Sequence, residues 1–145
     1  GSLFSHLDYS FAAGHEDGTF EFPSTQPGGG NASFRRQMRV LREFMDSFSF
    51  LRMKPDTTYI KRLPDGLRAR ALVEPGRQYA IYLFGKGGDE ITLELAQGRY
   101  DIRWVNPLDG SELDARKVVH AGGRLTLSMP IHGDDLALSI KTARK

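Results

Sequence analysis

The chain has 145 residues, enough for one domain with a core of its own. Its 20 Lys and Arg against 18 Asp and Glu leave a net charge of +2, too small an excess to argue for nucleic acid. There is no cysteine, which excludes disulfides and thiolate chemistry. No apolar run approaches the roughly 20 residues of a membrane span, and no signal-peptide pattern opens the chain. The opening "GSLFSHLDYSF" reads as a chain cut from something longer, with Gly1 as a tag remnant.

Residues 1–30 are read as irregular, a remnant or linker. "LDYSFAA" (7–13) suggests a short strand, and "GHEDGTFEFPSTQPGGGN" (14–31) is a loop, because consecutive glycines hold neither helix nor strand. Residues 31–145 are read as the folded unit. It begins with an amphipathic helix over 33–48, in which Phe34, Met38, Leu41, Met45 and Phe48 recur at helical spacing and Val40 and Phe44 widen the stripe. Asn31 or Ser33 is the expected cap. Arg35, Arg36, Arg39, Arg42 and Glu43 occupy the other side.

Beyond residue 50 the period changes from 3.6 to 2. Strands are predicted at 67–73, 77–85, 90–95, 99–105, 116–121, 124–129 and 135–141, separated by turn signals such as "LPDG", "GKGGD", "NPLDG" and "HGDD". The segment "RQYAIYLFG" is apolar on both faces, as a central strand is, with Tyr82 and Phe84 opposite Ile81 and Leu83. No β-α-β alternation occurs. The predicted fold is mainly β: an antiparallel β-sandwich of about seven or eight strands with one N-terminal amphipathic helix.

The order of motifs resembles a known family. "LREFMDSFSFLRMKPD", then "ALVEPGRQYAIYLFGKGGDEITLEL", then "GRYDIRWVNPLDG" are similar to the C-terminal region of secreted bacterial glycoside-hydrolase-like proteins. Their small β-domain is of the type called the collagen-binding domain of a collagenase. The likeness covers about residues 33–142. Its most specific run is carried by Gly98, Tyr100, Trp104, Pro107 and Gly110. The resemblance implies a (β/α) barrel upstream, with "LDYSFAAGHEDGT" as its last strand and following loop. It implies a non-catalytic accessory domain that packs on and supports that barrel, in a secreted or periplasmic glycoside hydrolase. The alternative it implies is a carbohydrate- or collagen-binding module. The expected partners are the barrel of the same chain and a polysaccharide or collagen, with no nucleic acid, membrane, cofactor or metal.

Several residues carry candidate chemistry. His15, Glu16 and Asp17 could belong to a substrate-binding rim loop, since barrel active sites lie on the loops after the strands. Glycoside hydrolysis needs two carboxyl groups at a fixed separation, which neighbours in a loop do not define, so the competing reading is a solvated turn and no catalytic residue is assigned. A self-contained small enzyme would require these three to meet residues such as Asp134 or Glu74. Trp104 shares a strand face with Tyr100 and Ile102 and is read as core; a sugar platform would require an exposed coplanar aromatic pair or a shallow groove along a sheet. Arg35, Arg36, Arg39 and Arg42 read as a solvated or barrel-docking helix face rather than an anion site. "HGDD" (132–135) lacks the ligand spacing of a calcium loop and reads as a turn.

Overall fold

The computed structural model describes residues 10–21 and 32–143. After the segment 10–21 comes helix α1 (Ala32–Asp46), a short 3-10 turn (Phe50–Arg52) and nine strands. These are β1 (Lys54–Pro55), β2 (Ile60–Arg62), β3 (Leu67–Glu74), β4 (Gln78–Gly85), β5 (Glu90–Leu95), β6 (Gly98–Val105), β7 (Glu112–His120), β8 (Gly123–Ser128) and β9 (Asp135–Thr142). They form two antiparallel sheets, one of six strands in the order β1-β3-β4-β9-β6-β7 and one of three in the order β2-β5-β8.

The predicted β-sandwich is therefore the observed fold, and all seven predicted strands are present. The two strands without a sequence prediction, β1 and β2, are two and three residues long. Strand β4 is interior, between β3 and β9, which accounts for its apolar character on both faces.

Alternation assigns the layers. Val73, Tyr79, Ile81, Leu83, Ile102, Trp104, Leu138 and Ile140 point inward from the large sheet and meet Ile91, Leu93, Leu95 and Leu127 of the small one. Such a side chain contributes roughly 1.5–3 kcal/mol when fully buried, so this layer dominates the stability. A second, smaller cluster of Phe48, Met53 and Ala80, with Phe44 and Leu72 against it, lies on the other face of the large sheet. There α1 packs. The outer face carries small residues under the helix, Ala80, Ala137 and Ser139, and these leave room for it.

Two expectations about α1 are corrected. Its first residue is Ala32, so Ser33 lies inside the helix and is not its cap; Asn31 lies outside the described residues. The line that packs on the sheet is Val40–Phe44–Phe48, spaced by four and with Phe44 half-buried, rather than the stripe through Leu41: Val40 is 6% exposed and Leu41 is 53% exposed. The sheet selects the branch of the wide apolar stripe that meets its small residues, and the other branch is left less covered. The expected strand over 7–13 falls partly outside the described residues. In its described part there is a single bridge residue, Ala12, paired with His15.

Candidate functional site

The segment 10–21 is a compact turn. His15 donates its backbone N–H to the Ala12 carbonyl, Gly18 to that of His15, and Phe20 to that of Ser10. The three candidate side chains are engaged within it. Glu16 accepts the Gly14 N–H at 3.0 Å, Asp17 accepts both the backbone N–H and the hydroxyl of Thr19, and His15 Nδ1 shares a hydrogen bond with the Thr19 hydroxyl at 3.1 Å. The His15 ring also meets Phe20 edge-on. The bond from the Gly14 amide holds the Glu16 carboxyl below its ordinary value, and the Thr19 hydroxyl does the same for Asp17. Both carboxylates are exposed and ionised at neutral pH. Arg35 of α1 ties the turn down: its guanidinium donates to Ser10 Oγ and to the Gly18 carbonyl, each at 2.7 Å, and covers the Phe11 ring.

The residues a self-contained enzyme would need are engaged elsewhere. Glu74 accepts from the Gln78 amide on β4, and Asp134 faces Lys86. Among the described residues no group of three His, Asp or Glu side chains gathers as metal ligands would. The turn "HGDD" holds His132 against the Pro130 carbonyl. Arg39 and Arg42 form exposed i,i+4 ion pairs with Glu43 and Asp46, worth little individually.

The motif run has a structural explanation. Tyr100 and Trp104 are buried in the sandwich, and the Tyr100 hydroxyl donates to the Ala96 carbonyl at 2.9 Å. Gly98 leaves space for the Tyr100 ring. Gly110 turns the chain at φ +80° directly against Val40 of α1, where a Cβ would stand 3.3 Å from that side chain. The run thus connects the core to the helix.

Two surface features of the described residues lie on the outer face of the large sheet. The first is a cleft of 510 Å³ between the C-terminal half of α1 and that face. Val40, Leu41, Phe44 and Met45 form its roof, and Leu72, Ala80, Tyr82, Val105 and Ala137 its floor. The second lies beyond the helix, where the small residues give way to large ones. The rings of Tyr82 and Phe84 stack with centroids 5.8 Å apart and an interplanar angle of 24°. Tyr82 is 39% exposed. Arg70 on β3 lies over the Phe84 ring, and Arg68 and Asp135 flank Phe84 on the neighbouring strands. Burial, and then the Asp135 carboxylate, push the Tyr82 phenol above its ordinary value. Sequence reasoning identified the Tyr82–Phe84 face as apolar but not which part of it the helix would leave open.

No family model matches this chain, and no curated protein does. Solved structures do. One is described as a glycoside hydrolase: TM-score 0.60 and 18% identity, over 83% of this chain and 31% of that one. Another is a glycoside hydrolase of family 5 from Bacteroides vulgatus, with TM-score 0.58 and 17% identity over 78% of this chain and 25% of that one. The chain resembles part of a glycoside hydrolase. It spans less than a third of the length of either structure, and at this identity the likeness is one of fold.

Proposed function

We propose that this chain is a non-catalytic accessory β-sandwich unit of an extracellular glycoside-hydrolase-like enzyme, which packs on and supports an upstream catalytic barrel. Residues 31–145 form the unit, and residues 1–30 belong to the connection with the barrel. The observation that carries the reading is the two-sided helix. Val40 of α1 and Phe48 just past its end are buried against the sheet with Phe44 partly buried between them, while Leu41 remains exposed and Met38 and Met45 are partly covered. A surface helix of a free-standing domain presents charge on its outer side. A helix apolar on two adjacent sides is suited to lie between two bodies. The apolar cleft beside it would take side chains of the second body, and the partial coverage of the two glycoside hydrolase chains supports a barrel as that body. The secreted or periplasmic location follows from the family resemblance and is part of the same proposal.

Paired substitutions test it. Val40→Glu should destabilise the 145-residue chain, because it places a charge under the helix. Leu41→Glu should leave this chain unchanged and lower the thermal midpoint of the full-length protein. Equal indifference of both proteins to Leu41→Glu overturns the docking. The 145-residue chain should also fail to hydrolyse aryl glycosides, and turnover abolished by Glu16→Gln would overturn the non-catalytic reading. A carbohydrate-binding role is the second reading, favoured by the Tyr82–Phe84 pair.

A further inference from the structure

The outer face of the large sheet divides into two halves of different chemistry. Under α1 it is small and apolar, with Ala80, Ala137 and Ser139. Beyond α1 it carries two cross-strand rows. Arg68, Phe84 and Asp135 are register partners on β3, β4 and β9, and Arg70 and Tyr82 are register partners one step along. A surface built for a protein core would exclude charges of both signs from its centre. A hydroxyl-rich ring with an apolar face needs what these rows supply: flat aromatic carbon for its C–H bonds, donors from guanidinium groups and an acceptor from a carboxylate. The rings are held for the task. Tyr82 and Phe84 brace each other at 24°, and Arg70 lies against Phe84. Little rotamer freedom is left to lose on binding.

We infer that Tyr82 and Phe84 form a glycan-binding platform on the outer face of the large sheet, with Arg68, Arg70 and Asp135 as hydrogen-bonding partners of the sugar hydroxyls. The ligand class is a neutral oligosaccharide of pyranose units. Tyr82 and Arg70 also line the cleft beside α1, so a bound chain would run from the open sheet toward the edge of the docked barrel. The choice of probes rests on the accessory-domain reading; the platform itself does not.

The test is a titration of the 145-residue chain with cellohexaose, xylohexaose and mannohexaose, followed by amide chemical shifts and calorimetry. At least one hexaose should shift amides of β3, β4 and β9 around Tyr82. Tyr82→Ala and Phe84→Ala should each weaken binding by about tenfold or more. Tyr82→Phe should retain most of it, because the ring and not the hydroxyl carries the stacking. Met38→Glu, on the partly covered side of α1 and outside the cleft lining, should leave it unchanged, which separates glycan binding from barrel docking. Thermal midpoints of the variants show that each is folded. Silence toward all three hexaoses at millimolar concentration, or binding indifferent to Tyr82→Ala and Phe84→Ala, overturns the platform while leaving the docking proposal standing.

Discussion

Lys141 on β9 donates its ammonium to the carbonyl of Ser47 at 2.5 Å and to the Ser47 hydroxyl at 2.8 Å, across 94 positions of sequence. The last carbonyls of a helix have no partner within it, and a cation there also meets the negative end of the helix dipole. The same ammonium stands 4.3 Å from the centre of the Phe48 ring. Burial, and then the charge of Arg103, lower the pKa of Lys141 below the ordinary lysine value. One side chain thus fastens the C-terminal end of α1 to the sheet, next to the cleft that Val40, Leu41, Phe44 and Met45 roof.

Lys141→Met keeps the aliphatic stem and removes the charge. It should cost about 1–2 kcal/mol in urea unfolding, as loss of a helix-terminal cation and its hydrogen bonds does. Amides of residues 44–50 should lose exchange protection while those of β5 and β8 keep theirs. Uniform loss across both sheets would show that the latch belongs to the global fold rather than to α1.

Trp104 is fully buried between the sheets, and its indole N–H finds no acceptor among the described protein atoms. Trp104→Ala should cost about 3–5 kcal/mol, the range for large-to-small core substitutions. Trp104→Phe should cost clearly less, because it keeps an aromatic body and gives up no protein hydrogen bond. Tryptophan emission in the native protein should be blue-shifted and resistant to iodide. Free quenching in the folded state would contradict the burial.

The sandwich was legible in the sequence because alternation and turn chemistry agree at each of its long strands. Glu90–Leu95 alternates strictly, and its turns are written in glycine. Strands β1 and β2 were not legible. Lys54–Pro55 and Ile60–Arg62 are too short to show a period and exist through pairing with β3 and β5. The helix was legible but its rotation was not, since Val40 and Leu41 are equally apolar and the small residues that choose between them lie more than thirty positions away on β4 and β9. The same gap concealed the aromatic platform. That Tyr82 and Phe84 share a face is evident from spacing, but which part of that face the helix leaves open is a tertiary fact. The clamp of Arg35 on Ser10 and Gly18 spans a glycine-rich stretch that carries no pattern to announce it.

Three turns share one device, an aspartate that accepts both the N–H and the hydroxyl of the Thr or Ser two residues on: Asp17 with Thr19, Asp56 with Thr58, and Asp109 with Ser111. The Thr58 hydroxyl bond, then the Thr58 amide, lower the pKa of Asp56; for Asp109 the Ser111 amide comes first. The ordinary value is 3.8 and the folded values lie below it. Their stabilising effect is therefore present above pH 3.8 and lost as pH falls through the lower folded values. The Thr58 and Ser111 amide shifts should titrate with midpoints below 3.8. Midpoints above it would contradict the turn geometry. Asp56→Asn should abolish the Thr58 titration and keep the turn.

Among the described residues, Arg35 is what ties the turn carrying His15, Glu16 and Asp17 to α1. Arg35 bonds Ser10 and Gly18 and covers Phe11, and Gly18 adopts φ +75° with no room for a side chain. A Cβ there would stand 2.7 Å from the Arg35 nitrogen and 2.8 Å from the Phe11 ring. Arg35→Ala and Gly18→Ala should therefore each release residues 10–21, seen as faster amide exchange at His15, Gly18 and Phe20. The urea midpoint should hardly move, because the core lies between the sheets. Arg35→Lys should not rescue the turn, since an ammonium cannot supply the two-pronged donor set and the planar cover together. The functional consequence separates two roles for this segment. If it shapes the rim of a sugar site on the proposed upstream barrel, Arg35→Ala should lower kcat/KM of the proposed full-length enzyme with the sandwich midpoint intact, and Glu16→Gln should do so without changing exchange. If the segment is connection alone, exchange rises in Arg35→Ala while kcat/KM stays at the wild-type value in both variants.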